Sequence, residues 1–215
     1  RPFKAPLTRM RETVEIVRLA FAGEKLAYHG RYHELPLPGG EGKALRLAQP
    51  GNPNIPIYLA TLGPNSLEYT GAAADGWLGT SFTPEHADAH LDHIRRGAEA
   101  AGRSLADVDI QVGGTVAFGD DLEALVAPLR PAMAFTLGAM GSPKTNFYNE
   151  AYRRGGWDDT AAEVQKLWVE GRRDEAAARV PAEMIEQANL LGDEARVRER
   201  LKTFRDAGVT TLRVQ

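Results

Sequence analysis

Thr61-Leu62-Gly63-Pro64-Asn65-Ser66 lies where a short apolar run, Ile57-Tyr58-Leu59-Ala60, gives way to a helical pattern rich in small residues, which would allow close approach to a sheet. An apolar run without alternation is the pattern of a parallel strand covered on both faces. Gly63 supplies conformational freedom just before a proline suited to the first helical position. A helix starting at the carboxyl end of a parallel strand turns unpaired N–H groups toward an anion, typically a phosphate. Pro64 has no N–H, so Asn65, Ser66 and the turn backbone are the groups that would bind. A plain, well-capped strand-to-helix connection would use the same residues, and a single glycine motif does not separate the two.

Other clusters invite chemical readings of their own. His86, His90 and His93 recur at spacings of four and three, which can hold a metal. The apolar stripe of that helix, Leu91, Ile94 and Ala98, lies about 100° around the helix from them. The spacing therefore predicts a solvated flank shared with Asp88, Asp92 and Arg96 rather than a metal site. Arg196, Arg198 and Arg200 read as the solvated face of a helix that buries Val197, Leu201 and Phe204. His29 and His33 flank Tyr32 in what reads as a polar hairpin. Met140 to Asn149 reads as a Gly/Pro loop that crowds Asn146, Tyr148 and Asn149 onto the start of a helix. A capped helix whose Phe147 and Tyr148 pack on a neighbouring wall explains that crowding equally well.

The elements that must position these groups alternate between helix and strand. Pro6 opens an amphipathic helix carrying Leu7, Met10, Val14, Val17 and Phe21 and ending near Gly23. An excursion over residues 28–54 follows, with short strands predicted at Tyr32–Leu35 and Lys43–Leu47. After the Ile57 strand and its helix come a strand at Trp77 and a long helix from Thr83-Pro84 to Ala101-Gly102, capped by Thr83. A strand over Val108–Phe118 precedes a helix capped by Asp120 or Asp121. A helical insertion spans residues 144–189. The last helix is capped by Asp193 and stopped at Gly208, and Thr211–Val214 is the final strand. Alternation of this kind is the signature of a parallel sheet with right-handed crossovers, here with four main strands around Ile57, Trp77, Val112 and Leu212.

Composition fits a globular enzyme. The 215 residues suit one domain, residues 1–215, with a substantial core. The 26 basic side chains stand against 29 acidic ones, a net charge of −3 without a basic run, which gives nucleic-acid binding no electrostatic support. The absence of cysteine removes disulfides, thiolate metal sites and cysteine nucleophiles. No apolar run approaches membrane-spanning length and no secretory pattern opens the chain, so a cytoplasmic protein is expected.

PIYLATLGP, followed by a small-residue helix and ADGW, resembles the luciferase-like monooxygenase superfamily, in particular its branch using the deazaflavin coenzyme F420. The likeness extends to RPFKAPLTRMRETVEIVRLAFAGEKLAYHGRYHELP, to MGSPKTNFYNEAYRRGG and to LGDEARVRERLKTFRDAGVTTLRV, in the expected order along almost the whole chain. It implies an α/β fold of the (β/α)8 TIM-barrel type. Because a closed barrel needs eight strands and typically about 250 residues, the chain would be its C-terminal half, beginning at Arg1 in the middle of the fold. A complete, open, doubly wound sheet of four strands is the competing architecture. It would leave the helix opening the chain uncovered.

The resemblance further implies hydride transfer between F420, or flavin mononucleotide as the close variant, and a small organic substrate. Cofactors carry such chemistry while the protein fixes geometry and charge. The matching tail-binding positions are Ala60, Thr61, Leu62, Gly63 and Pro64, with Asn65 and Ser66. Lys144, Asn146 and Tyr148 become candidate substrate-binding residues near the open end of the barrel, Lys144 for an anionic group. Family residues that contact the reactive ring come largely from the first strands, so no catalytic acid or base is named. His33 and Glu34 are the only local candidates. A homodimer is the family's common form. Two readings of other classes stand beside this one: a non-redox barrel enzyme holding a phosphorylated substrate at the Gly63 turn, and a non-catalytic fragment whose exposed sheet serves as an interaction surface.

Overall fold

A computed structural model describes residues 4–142 and 144–214. The chain forms two compact units that divide between Ile57 and Tyr58. In the first, α1 (Pro6–Phe21) precedes the short antiparallel strands β1 (Tyr28–His29) and β2 (Glu34–Leu35). Tyr32 and His33 lie in the turn instead of the predicted strand, and Lys43–Leu47 forms no strand. The cause is Glu12, 5% exposed on α1, whose carboxylate accepts from the backbone N–H groups of Arg31 (2.7 Å), Tyr32 (3.0 Å) and His33 (2.8 Å). Gathering those donors curls the chain so that Glu34–Leu35 folds back on Tyr28–His29. Gly30 makes room for this, since a Cβ there would lie 2.7 Å from the Glu12 carboxylate. Burial works to raise the Glu12 pKa, but the hydrogen bonds from His33 and the three N–H groups together hold it below the usual carboxylate value.

The second unit begins with β3 (Tyr58–Leu59), α2 (Pro64–Ala73), β4 (Gly76–Gly79), α3 (Asp88–Ala100) and β5 (Asp109–Gly114). It continues through β6 (Val116–Phe118), α4 (Leu122–Val126), α5 (Arg130–Ala139), α6 (Phe147–Tyr152), a π-helical turn at Arg153–Trp157, α7 (Asp158–Val169), α8 (Arg173–Arg179) and α9 (Ala182–Ala188). It closes with β7 (Leu190–Gly192), α10 (Glu194–Asp206) and β8 (Thr211–Val214). The four expected strands form one parallel sheet in the order β3-β4-β5-β8, with Trp77 opposite Ile110 and Val112 opposite Leu212. The predicted strand over 108–118 is divided at Thr115. Its outer part, β6, pairs in parallel with β7, a strand that the sequence pattern did not reveal. Thr115 N–H donates to Asn189 Oδ1 at 2.8 Å, and Leu190 N–H donates to the Thr115 carbonyl at 2.9 Å. Three buried residues between two helices are too short for a period to show. Among the described residues no helix is long and apolar enough to cross a membrane.

Two apolar cores fill this unit. One joins the sheet to α2, α3 and α10 through Leu67, Trp77, Leu91, Ile94, Ile110, Val112 and Phe204. The other belongs to the helices between β6 and β7 and includes Met133, Leu137, Tyr152, Val164, Leu167, Met184 and Ile185. The caps at Asp121 and Asp193 form as expected, each carboxylate accepting from a backbone N–H three residues on. Thr83 does not cap with its side chain, because the chain first makes a single 3-10 turn at Pro84–His86.

Three expectations about buried faces are corrected. The small residues of α2 admit a helix rather than the sheet. A Cβ at Gly71 would lie 1.9 Å from the Ile94 carbonyl oxygen, and one at Gly97 would lie 1.8 Å from the Glu68 carbonyl oxygen, so α2 and α3 touch backbone to backbone. His90 is not on a solvated flank. It is 2% exposed, packed against Trp77 with ring centroids 5.2 Å apart, and neither ring nitrogen has a hydrogen-bond partner. On α10 the inward stripe is Val197, Arg200 and Phe204, while Leu201 is 44% exposed. The Arg200 guanidinium lies 5.4 Å over the Phe204 ring, donates to the Gln187 carbonyl at 2.6 Å and pairs with Glu85, so its stem replaces the leucine against the core.

Gly71→Ala should destabilise the protein by on the order of 1–3 kcal/mol through overpacking, measured by chemical denaturation; an unchanged midpoint would contradict the helix contact. His90 yields a pH signature. Burial, aided by the positive charges of Arg154 and His93, lowers its pKa to about 3. The unfolded imidazole protonates near its ordinary value of about 6.5, so below that pH the unfolded state binds the extra proton. Stability should be fully present above that value and fall by about 1.4 kcal/mol per pH unit below it, down to the folded pKa. His90→Leu should remove this component, and equal slopes in the two proteins would refute it.

Candidate functional site

The turn between β3 and α2 is held at the carbonyl groups of Thr61, Leu62 and Gly63. The Thr61 carbonyl accepts from Trp77 Nε1 at 2.9 Å, and the Leu62 carbonyl from Arg154 Nη2 at 2.7 Å. The Gly63 carbonyl accepts from the N–H groups of Ser66 (3.0 Å) and Leu67 (2.9 Å) and from Ser66 Oγ (2.8 Å). Buried Thr61 is tied further to α2, its hydroxyl 2.8 Å from that of Thr70, which also donates to the Ser66 carbonyl at 2.9 Å. The N–H groups of Leu62 and Gly63, by contrast, have no acceptor among the described residues. In a trans peptide the N–H points opposite to the C=O, so holding the Leu62 carbonyl toward Arg154 aims the Gly63 N–H away from it. Pro64 occupies the first helical position, and Ala60, Pro64 and Asn65 are exposed.

Gly63 itself has ordinary extended geometry, φ −76° and ψ 147°, and a Cβ there would meet only Ser66 Oγ, at 3.5 Å. Neither backbone strain nor internal packing requires glycine at this place. The space that its missing side chain leaves is bounded only by Ser66 Oγ.

Arg154 is the residue that sequence reasoning missed. It sits in the π-helical turn, where Gly156 takes φ +85°, and such turns are frequent at functional sites. Its guanidinium is half-buried, its Nε is buried without a partner, and among the described residues no carboxylate pairs with it. Burial lowers its pKa, opposed by Glu150. A half-buried cation with no salt-bridge partner among the described residues, bonded to a turn with unpaired N–H groups, is suited to an anionic group. The orphaned Nε, the two free N–H groups and the space at Gly63 fit the phosphate of a nucleotide-like cofactor. RRGG gave the only signal in the sequence, two arginines before a glycine pair.

The other candidates lie elsewhere. The Asn146 side chain caps α6 through the Asn149 N–H (3.0 Å) and donates to the Leu137 carbonyl (2.9 Å). Asn149 donates to the carbonyls of Leu137 (3.0 Å) and Ala161 (2.7 Å). Together these two buried amides tie α6 to α5 and α7. Tyr148 is half-buried, whereas Lys144 and Phe147 are exposed. It is Arg154, further along this segment, that reaches the turn. In the first unit His33 Nδ1 lies 2.9 Å from the Glu12 carboxylate and His29 Nδ1 lies 2.5 Å from that of Glu34, so both side chains serve the hairpin.

At the carboxyl ends of β4 and β5 a cavity of about 230 Å³ opens beside Ser81 and Tyr152. The opposite end of the sheet is pinned by Asp109, whose carboxylate accepts from Tyr58 (2.7 Å) and Thr211 (3.0 Å). A polar clamp at the amino ends and open space at the carboxyl ends is how parallel α/β sheets divide stability from binding.

Known proteins share both the sequence and the fold of this chain. The family model described as luciferase-like monooxygenase matches residues 1–211. A protein of Mycobacterium tuberculosis named as a coenzyme F420-dependent oxidoreductase is 36% identical over 98% of this chain and 63% of its own length. The 5,10-methylenetetrahydromethanopterin reductase of Methanopyrus kandleri is 27% identical over 96% of this chain and 56% of its own. The solved structure of the coenzyme F420-dependent tetrahydromethanopterin reductase from that organism superposes with a TM-score of 0.73 at 25% identity, covering 98% of this chain and 57% of that one. The chain thus spans about three-fifths of the length of the relatives it matches. Over that span, sequence and fold place it in the luciferase-like monooxygenase family.

Proposed function

We propose that the protein binds the deazaflavin coenzyme F420 and transfers a hydride between it and a small organic substrate. The observation that carries this reading is the β3–α2 turn: the carbonyls of Thr61, Leu62 and Gly63 are held by the protein, the N–H groups of Leu62 and Gly63 have no acceptor among the described residues, and the half-buried Arg154 guanidinium anchors the turn without a salt-bridge partner among those residues. Membership of the family and the likeness to proteins named for F420 support the choice of coenzyme. The coenzyme, when bound, supplies the hydride acceptor or donor. The chain's own part is to seat the phosphate-bearing tail over residues 60–66, fix its orientation through the Gly63 N–H, and supply positive charge from Arg154 where few waters compete. Flavin mononucleotide is the close variant, since it offers the same phosphate to the same turn.

In this reading the chain is the C-terminal portion of a (β/α)8 barrel, as its share of the relatives' length suggests. Lys144 and Tyr148 remain candidates for contact with substrate, while Asn146 serves by holding α6 in place. Association as a homodimer and a cytoplasmic setting are proposed from the resemblance alone.

Titration of full-length protein by ligand fluorescence should give tighter binding of F420 than of flavin mononucleotide, and the reverse order would move the assignment to a flavin enzyme. Gly63→Val should weaken F420 binding by roughly 1–3 kcal/mol, the scale of a charge-assisted hydrogen bond. Because φ at Gly63 is unstrained, stability without ligand should change by no more than about 0.5 kcal/mol. A variant that loses stability yet binds normally would make the turn purely structural. Arg154→Met should weaken binding by a similar amount and flatten its dependence on ionic strength. An unaltered salt dependence would remove Arg154 from the site.

A further inference from the structure

Arg154 reaches the Leu62 carbonyl from a segment that has little of its own to hold it still. Gly155 (φ −82°, ψ 25°) and Gly156 (φ +85°, ψ 3°) follow it directly, inside the π-helical turn. Such turns are rare, and a glycine pair brings no side chain to fix its own conformation. Arg153 pairs with Asp158 across the turn, but both side chains are exposed and such pairs contribute little. An arginine side chain also loses much rotamer freedom when it is fixed. A carboxylate partner could offset that loss, yet it would cancel the charge offered to an anion. Packing against the backbone beside Arg154 avoids this conflict.

His86 supplies that packing. A Cβ at Gly155 would lie 3.5 Å from the His86 Cβ, and one at Gly156 would lie 2.9 Å from His86 Cε1. The side chain therefore runs along the glycine pair, with its root at Gly155 and the tip of its ring at Gly156. The second contact leaves no room for a side chain at Gly156, so ring and turn are shaped to each other. His86 stands on a firm base. Thr83 and Pro84 are buried, the His86 N–H donates to the Thr83 carbonyl at 3.1 Å, and neighbouring Glu85 pairs with Arg200. One helical turn on, His90 packs against Trp77, the donor to the Thr61 carbonyl. Both side chains that hold the β3–α2 turn thus rest on histidines of one short stretch.

We propose that His86 is a positioning residue for the anion site: by packing along Gly155 and Gly156 it fixes the π-helical turn in the form that delivers Arg154 to the Leu62 carbonyl. In this role His86 acts only through Arg154. The inference rests on the reading of the β3–α2 turn as the seat of a phosphate.

The test uses full-length protein, with F420 affinity followed by ligand fluorescence at about 50 mM and about 500 mM salt. His86 is only half-buried, so its variants should fold. His86→Ala should bind about threefold more weakly or worse at low salt, and the difference should shrink at high salt. His86→Gln keeps a side chain of similar length along the glycine pair and should stay within about twofold of wild type. In the Arg154→Met background, His86→Ala should cost nothing further. A loss of the same size in that background would overturn the proposal, since His86 would then act independently of Arg154. So would wild-type affinity and salt dependence in His86→Ala. A second readout needs no cofactor. The Arg154 Nε–H, buried without a partner, gives a side-chain NMR signal identified by its loss in Arg154→Met. Its exchange with water should speed about tenfold or more in His86→Ala and little in His86→Gln. Unchanged exchange in His86→Ala would overturn the positioning role. If exchange speeds as stated but Arg154→Met leaves F420 binding unaltered, the phosphate reading fails and the positioning of Arg154 stands.

Discussion

Three donors from three parts of the second unit converge on one short turn: Trp77 from β4, Arg154 from the π-helical turn, and the first turn of α2 itself. Each takes a carbonyl oxygen, so the N–H groups of the same peptides must face the other way. With the carbonyls of Thr61, Leu62 and Gly63 committed, the open amides of Leu62 and Gly63 are left to water or to an acceptor from outside the chain. The remaining architecture follows from keeping this turn in place. Trp77 is fully buried in the sheet core, which fixes the donor that holds Thr61. Thr61 is fastened to Thr70 one helical face further on, and α2 is locked against α3 through Gly71 and Gly97. The small residues of α2 thus hold this turn in place indirectly. A bulkier helix would stand away from α3, and the N-terminus carrying Leu62 and Gly63 would lose its seat.

Charge is distributed to match. Arg154 is half-buried with no salt-bridge partner among the described residues, His90 behind it is kept neutral by burial and by that same positive charge, and the neighbouring cavity has no formal charge. At the amino end, Asp109 draws Tyr58, Thr210 and Thr211 into a hydrogen-bonded clamp, an arrangement that serves stability.

Much of this arrangement was legible in the sequence, for identifiable reasons. The four strands around Ile57, Trp77, Val112 and Leu212 are apolar runs bounded by glycine, proline or aspartate, and their neighbour order follows from right-handed crossovers. Asp121 and Asp193 announce their helices because a carboxylate at that position has one local task. Interactions between distant residues were not legible. Nothing local distinguishes Glu12 from Glu15, the other acidic residue of α1, yet its carboxylate organises the turn over residues 31–33 and relocates the hairpin. His90 shares its spacing with two histidines that are not buried, and only the position of Trp77 puts it in the core. Arg154 was missed because arginine is an ordinary surface residue type. Its meaning lies in a buried nitrogen without a partner, which only coordinates reveal.

The proposed site requires an anion at the β3–α2 turn, and the most direct measurement is the affinity of the unmodified protein for the deazaflavin with and without its phosphate-bearing tail. Titrated at several salt concentrations, the complete coenzyme should bind at least tenfold more tightly than the bare chromophore, about 1.4 kcal/mol, with the advantage shrinking as ionic strength rises. Equal affinities that do not respond to salt would contradict the account.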